Sequence, residues 1–169
     1  MKKLAIILFA ILFAAPSFAQ FEKGKTYLAT RLSGLDLSYN SGSKFKLNLD
    51  VLGGHFFFDE VMFVGILGYE HTKVADMFRI GVGARYYIRQ NGLHVGATFQ
   101  YRYDNTSDNR HNNWLLGPEI GYTFFLNRHV TIEPSIYYNM SLNNFSGDSE
   151  VGLRLAFGYF FSLCKPKTN

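Results

Sequence analysis

The sequence contains one cysteine, Cys164, among its 169 residues. A disulfide bond within the chain is therefore excluded. Cys164 follows the last strand-like segment and lies in a polar tail. A reactive or intermolecular thiol is one interpretation of this residue, and an incidental free thiol is the interpretation we prefer.

Long apolar runs are absent after residue 20. No later stretch approaches about 18 consecutive apolar residues, so no transmembrane helix is expected there. The first residues differ, because Lys2 and Lys3 precede an apolar stretch over residues 4–15 and a small-x-small site at Ser17–Ala19. This order predicts a signal peptide over residues 1–19, cleaved before Gln20. The alternative, a membrane anchor, requires about twenty apolar residues, more than this stretch provides.

Runs of one charge sign are also absent. The chain has 17 Lys and Arg against 13 Asp and Glu, and 15 basic residues remain without Lys2 and Lys3. Proteins that bind nucleic acid cluster their positive charges, so no nucleic-acid partner is expected. The stretch GVGARY does not match the dinucleotide-binding pattern GxGxxG. No pair with HxxxH spacing occurs among the five histidines, so no metal or cofactor is expected; they are His55, His71, His94, His111 and His129.

The chain does contain repeated alternation of apolar and polar residues, which is typical of β-strands with two different faces. Eight such segments follow Gln20. Their approximate spans are Thr26–Tyr39, Lys44–Phe56, Val61–His71, Met77–Arg89, Leu93–Asp104, Asn113–Phe125, Val130–Met140 and Glu150–Phe161.

The connections between these segments alternate in length. Those after the second, fourth and sixth segments are short, and the others are longer or more polar. The longer loops are predicted around Asn40–Ser43, Thr72–Asp76, Asn105–Asn112 and Leu142–Ser149. An even number of antiparallel strands with this loop asymmetry is typical of outer-membrane barrels. We therefore predict an all-β fold, an eight-stranded antiparallel transmembrane β-barrel with up-and-down topology. Its domain spans residues 20–169, with strands over about 26–161 and a tail over 162–169.

The Asn91-Gly92 pair predicts a hairpin with a two-residue type I′ turn. That turn would place Arg89 opposite His94 and Tyr87 opposite Gly96. One face of the hairpin is then charged and rich in glycine, and the other is apolar and aromatic. Glycines opposite large side chains suit a confined space, so we expect the charged face to point inward and the apolar face to point outward.

Aromatic residues are expected to form a girdle at each end of the barrel, where one side of the ring is apolar and the other is wet. The girdle at the short-turn end would contain Phe56, Phe57, Phe58, Tyr86, Phe124, Tyr159 and Phe161. The girdle at the other end would contain Tyr39, Tyr101, Tyr103, Trp114 and Tyr138.

Some positions depart from simple alternation. A bulge is expected near Ser33-Gly34, where the parity of the leucines changes. Pro118 and Pro134 lack a ladder donor and are also interpreted as bulges. The third strand is apolar on both parities, so its faces stay unassigned.

Inward charges define the candidate site, a polar network in the barrel interior. Its predicted members are Arg79, Arg85, Arg102, Asp104, Glu119, Glu133 and Arg154. Glu119 and Glu133 could act as a general acid and base, but buried charges require partners. We therefore expect a structural salt-bridge plug and no catalytic residues, because an eight-stranded barrel has little more room than its side chains need.

The stretches GVGARYYI, EIGYTFF and LAFGYFF resemble the small eight-stranded bacterial outer-membrane barrels of the OmpA/OmpX type. The resemblance implies an outer-membrane location, periplasmic termini and recognition of the last strand, near Tyr159–Phe161, by the barrel-assembly machinery. Two lipid A-modifying enzymes share this architecture. The nearest equivalent of the deacylase His-x-Ser pair is His129-Val130-Thr131, at a periplasmic turn and thus on the wrong side of the membrane.

These observations predict an integral outer-membrane barrel, monomeric and non-enzymatic, with a plugged interior. Its expected role is envelope integrity or surface interaction through the loops, with outer-membrane lipid as its surroundings. The alternatives are a small-solute pore, a lipid A-modifying enzyme and a secreted lipocalin-like binder.

Overall fold

The computed structural model describes residues 21–35, 48–71, 75–106, 109–143 and 149–162. The predicted signal peptide, Tyr39, the Asn40–Ser43 loop and Cys164 lie outside them. The strands are β1 (Lys25–Leu35), β2 (Asn48–Phe58), β3 (Val61–His71), β4 (Ala75–Tyr87), β5 (Leu93–Thr106), β6 (Asn109–Tyr122), β7 (Phe124–Phe125), β8 (Val130–Ser141) and β9 (Glu150–Ser162). Within these ranges, no helix has the length and apolarity to cross a membrane.

The strands form a closed antiparallel ring. Each of β1 to β5 pairs with the next strand along the chain. β6 and β7 both pair with β8, and β9 returns to pair with β1. Because β6 and β7 share one register and are separated only at Thr123, they form one barrel strand. The ring therefore has eight barrel strands, which confirms the predicted fold class.

The two faces of the ring have opposite chemistry. Alternate residues along β4 and β5 are either buried in the interior, as Arg85 and Thr98 are, or exposed and apolar, as Val82 and Phe99 are. The same alternation holds along β8 and β9. The predicted orientation of the two faces is therefore confirmed. The exposed apolar side chains include Leu28, Leu49, Phe63, Leu67, Phe78, Ile80, Ile120, Ile136, Leu153 and Phe157.

The third strand is apolar on both faces because part of the interior wall is apolar. Met62, Val64 and Ile66 are buried, whereas Phe63 and Leu67, on the other parity of the strand, are exposed. The buried side chains belong to a hydrophobic cluster that fills one side of the interior. Its members are Phe21, Tyr27, Ala29, Leu52, Phe56, Met62, Val64, Ile66, Tyr87 and Phe160.

Phe21 is the centre of the aromatic part of this cluster. Its ring stacks on Tyr87 at a centroid distance of 4.0 Å and meets Phe160 edge-on at 5.9 Å. The Phe21 carbonyl also accepts a hydrogen bond from the Glu60 amide in the β2–β3 turn. Phe56 is completely buried in this cluster, so its predicted place in the outer girdle is wrong. Most of the other predicted girdle residues are exposed or half-buried.

The β4–β5 turn differs from the prediction. Tyr87 pairs with His94, and Arg85 pairs with Gly96, a shift of two residues. The positive φ angles that a type I′ turn requires occur at Arg89 (50°) and Gln90 (53°) instead of at Asn91. Asn91 accepts a hydrogen bond through Oδ1 from the amide of Leu93, the first residue of β5. A shift of two residues leaves every side chain on its predicted face.

Two of the predicted loops contain strand residues. β5 and β6 extend until Thr106 pairs with Asn109, so most of the predicted Asn105–Asn112 loop continues the hairpin. β4 already begins at Ala75, inside the predicted Thr72–Asp76 loop. Polar composition suggested loops here, but polar residues that are paired in a ladder can also extend strands.

The predicted bulge in the first strand is confirmed, because the β1–β9 register shifts between Leu32 and Leu35. The prediction of bulges at the prolines is wrong. The β6–β8 register is the same on both sides of Pro118, and Pro134 pairs regularly with Leu155. Pairing between β6 and β8 is instead interrupted next to each proline, because proline offers no N–H to the ladder.

Candidate functional site: a buried polar cluster

Arg85 is the centre of the buried polar cluster. This side chain leaves β4 and crosses the interior to carboxylates on two other strands. Its Nε donates to Glu119 Oε1 on β6 at 2.6 Å, and its Nη1 donates to Glu133 Oε2 on β8 at 3.1 Å. All three side chains are almost completely buried. One guanidinium group therefore ties three strands together across the interior.

Glu133 has a full set of donors. The Tyr27 hydroxyl on β1 donates to Oε2 at 2.7 Å, and the Thr131 hydroxyl donates to Oε1 at 2.8 Å. A Cβ at Gly158 would lie 2.5 Å from Thr131 Oγ1 and 2.5 Å from the Tyr27 ring. Glycine at position 158 is therefore what allows Tyr27 to reach Glu133.

Glu119 is approached by two further guanidinium groups. Arg31 Nη2 on β1 lies 3.6 Å from Glu119 Oε2, and Arg154 Nη1 on β9 lies 3.7 Å from the same oxygen. The guanidinium carbon of Arg154 also lies 3.3 Å from the centroid of the Tyr137 ring, which is a cation–π contact. Three arginines thus surround one carboxylate.

A second ion pair adjoins this group, because Asp50 lies opposite Arg31 in the β1–β2 ladder. Arg79 Nη2 on β4 donates to Asp50 Oδ1 on β2 at 3.0 Å, and both side chains are buried. Neutral polar residues extend the polar interior beyond it. Gln100 bonds to Thr98 (2.8 Å), Ser141 bonds to Asn113 (2.8 Å), and Asn139 donates to the carboxylate of Glu150 (2.7 Å).

The structure brings most of the predicted site residues together. Arg85, Glu119, Glu133 and Arg154 lie in the central cluster, and Arg79 lies in the Arg79–Asp50 pair. Arg102 is half-buried and opposite Arg79 in the ladder. The backbone of Asp104 belongs to β5, and its side chain lies outside the described part of the chain.

The sequence-based site omitted Arg31 and Tyr27. Both lie on the inward parity of β1, opposite in parity to the outward-facing Leu28. Alternation along this strand was therefore the signal that could have identified them. Alternation does not predict which residue the Tyr27 hydroxyl contacts, because its partner Glu133 is 106 residues away in the sequence.

The contacts of this cluster are those of a structural cross-link between strands. Arg85 lies between Glu119 and Glu133 and bonds to both, so that one guanidinium group pairs with two carboxylates. His129 is exposed and stacks on Tyr159, whereas Thr131 is buried, so these two side chains face different surroundings. Among the described residues, no group of three His, Cys, Asp or Glu could hold a metal ion.

A closed ring of eight antiparallel strands, apolar outside and charged inside, defines the small outer-membrane type of β-barrel. No family model and no curated protein sequence matches the chain. Solved structures do match. The N-terminal β-barrel domain of Pseudomonas aeruginosa OprF aligns with a TM-score of 0.62 and 16% identity, covering 82% of this chain and 98% of that one.

Two further structures have the same fold. Neisserial surface protein A (NspA) aligns with a TM-score of 0.54 and 13% identity, covering 83% of this chain and 97% of its own. The Yersinia pestis outer membrane protein Ail, in a phospholipid bilayer nanodisc, aligns with a TM-score of 0.55 and 10% identity, covering 82% and 100%. The predicted resemblance to small eight-stranded outer-membrane barrels is confirmed at the level of the fold.

Proposed function

We propose that this chain is an integral barrel of the bacterial outer membrane whose closed interior supports a structural or surface-interaction role. The exposed apolar band supports the membrane location. Val82, at the middle of β4, exposes 64% of its surface. The residues before and after it in the strand are glycines. Large apolar side chains on the outside of an isolated soluble barrel would be unfavourable, whereas lipid favours them. This argues against the secreted lipocalin-like alternative.

The contacts across the interior are the observation that supports a closed barrel most directly. Arg85 ties β4 to β8 through Glu133, and Arg31 approaches Glu119 from β1, three strands away around the ring. Phe21 and its aromatic neighbours occupy the interior at the short-turn end. A solute would have to displace both the buried ion pairs and these aromatic rings to pass. We therefore favour a non-conducting barrel over a small-solute pore.

The orientation follows from the turns. Short turns in barrels of this type face the periplasm, which would place the β2–β3 turn and both ends of the domain there. In this arrangement the signal peptide directs export. The end of β9 carries outward-facing Tyr159, which suits recognition by the assembly machinery. Surface ligands would meet the opposite end, and the barrel would act as a monomer surrounded by lipid.

Site-specific labelling tests the location and the closed interior together. Val82→Cys and Thr98→Cys, each with Cys164→Ser, place a thiol on opposite faces of the same hairpin. Val82 is 64% exposed and Thr98 only 1% exposed. In lipid vesicles we expect a probe at position 82 to contact lipid, and the thiol at position 98 to react with neither lipid-soluble nor water-soluble reagents.

Arg128→Cys, at an exposed turn, is the matched control that must react with the water-soluble reagent. Reaction at position 98 as fast as at position 128 would refute the closed interior, and water contact at position 82 would refute the membrane location. Planar-bilayer recording of the unlabelled protein is the independent measurement. We expect no discrete conductance steps, and regular steps would establish the pore instead.

A further inference from the structure

The central cluster has more buried positive than negative charge. Arg31, Arg85 and Arg154 provide three guanidinium groups, against the two carboxylates of Glu119 and Glu133. Arg79 does not alter this balance, because it is paired with Asp50. Arginine keeps its proton in proteins, so the surplus cannot be removed by deprotonation. One positive charge in this cluster therefore lacks a counter-charge among the buried side chains described.

The surplus is located at Arg31 and Arg154. Arg85 makes the shortest arginine contacts to both carboxylates, at 2.6 Å to Glu119 and 3.1 Å to Glu133. Among the described side chains, the carboxylate oxygen within ion-pair distance of Arg31 and Arg154 is the more distant Glu119 Oε2, at 3.6 and 3.7 Å. Both nitrogens of the Arg31 fork, and Nε and Nη1 of Arg154, are buried without a hydrogen-bond acceptor. Buried donors of this kind are costly unless they find a partner.

The two arginines are close neighbours. Both lie within ion-pair distance of the same carboxylate oxygen, one from β1 and the other from β9. Arg31 is paired in the ladder with Ala156, two residues from Arg154. Ala156 is buried and contributes only a methyl group on the face of the sheet that carries the two arginines.

We propose that a small monovalent anion, a halide such as chloride, binds between Arg31 and Arg154. A water molecule would satisfy some of the donors but would leave the charge uncompensated. A halide supplies both an acceptor for these N–H groups and the missing negative charge, and, unlike water, it needs no hydrogen-bond acceptor from the site. The ion would tie β1 to β9, the two strands whose pairing closes the barrel.

The first experiment compares salts. The mature protein, refolded in detergent, is heated in increasing sodium chloride or bromide and, separately, in sodium gluconate at the same ionic strength. A ligand at about ten times its Kd raises Tm by roughly 3 to 6 °C for a chain of this size. We expect a saturable rise of this order with either halide and a smaller, unsaturable change with gluconate. Equal curves in the three salts would overturn the proposal.

Substitutions locate the ion. Arg31→Gln and Arg154→Gln each remove the surplus charge and should abolish the difference between halide and gluconate. Arg128→Gln removes a charge from an exposed turn and should retain it. If the two interior variants keep the halide effect, the ion binds elsewhere and the proposal is wrong.

Crystallography gives a readout that does not depend on the variants folding. Crystals of the unaltered protein grown in sodium bromide should show an anomalous peak between the guanidinium groups of Arg31 and Arg154. Density for water at that position, without an anomalous signal, would show that solvent and not an anion satisfies these donors.

Discussion

Arg85 lies directly opposite Gly96 in the β4–β5 ladder. A Cβ at Gly96 would lie 3.0 Å from Arg85 Cγ and 3.3 Å from Glu119 Cγ. The missing side chain therefore leaves the path along which the arginine stem reaches the carboxylates on β6 and β8. A small residue on one strand thus determines where a charge on the neighbouring strand can go.

Gly96→Ala should destabilise the barrel by about 1–3 kcal/mol, because the added methyl group would lie too close both to the Ala84 carbonyl oxygen, at 2.9 Å, and to the arginine stem. Unfolding by urea in detergent, followed by tryptophan fluorescence of Trp114, measures this change. Gly53→Ala is the matched control, since a Cβ there meets nothing within 4 Å. Equal stabilities of the two variants would show that Gly96 is not required for the Arg85 contacts.

Arg85→Met should be more damaging, by about 3–5 kcal/mol, because it leaves two buried carboxylates without their shared partner. The same urea titration applies. Arg128→Met is the control, as its side chain is exposed at a turn, and it should change the free energy of unfolding by less than about 0.5 kcal/mol. A loss of under about 1 kcal/mol for Arg85→Met would contradict the central role given to this residue.

Alternation along the strands was sufficient to predict which faces point inward, and therefore most of the central cluster. Arg85, Glu119 and Glu133 could be placed inside because each lies among outward-facing apolar neighbours. The predicted facing of these side chains was correct although the predicted β4–β5 register was wrong, since a shift of two residues keeps the parity. Where both parities are apolar, as around Val64 in β3, periodicity carries no information about facing.

Other features depend on distant contacts and could not be predicted from local pattern. The Asn91-Gly92 pair favours a tight turn in isolation, but the Gly92 carbonyl accepts a hydrogen bond from the Thr123 amide, between β6 and β7. This neighbouring strand competes with the local turn preference. Phe21 precedes the first strand, and its partners Tyr87 and Phe160 are far along the chain, so nothing in the local pattern indicates that it is buried.

Phe21→Ala should destabilise the barrel by about 3–5 kcal/mol, because it removes a fully buried aromatic ring from the hydrophobic cluster. Phe21→Leu should recover part of this loss by filling part of the space. Glu22→Ala, at the exposed neighbouring position, controls for general effects of changing this segment. If Phe21→Ala and Glu22→Ala have the same midpoint of thermal unfolding, the segment before β1 does not support the barrel.

The seam between β6 and β8 should be where the barrel opens first. The β4–β5 ladder is continuous from Ala75 to Tyr87, whereas the β6–β8 ladder is interrupted beside Pro118 and beside Pro134. A closed barrel has no free edge, so local opening must begin between two paired strands, and fewer ladder hydrogen bonds lower its cost.

Amide hydrogen exchange of the protein in micelles tests this expectation. The backbone amides of residues 117–123 and 133–139, apart from the two prolines, should exchange at least about tenfold faster than amides in the continuous β4–β5 ladder, a difference of about 1.4 kcal/mol in opening free energy. Pro118→Ala restores one N–H to the seam and should slow exchange on both sides of it, while Ala97→Gly, on the β5 partner of Pro118, should not. Uniform exchange around the ring would mean that the buried ion pairs, which cross the interior between strands, hold the seam closed without a continuous ladder.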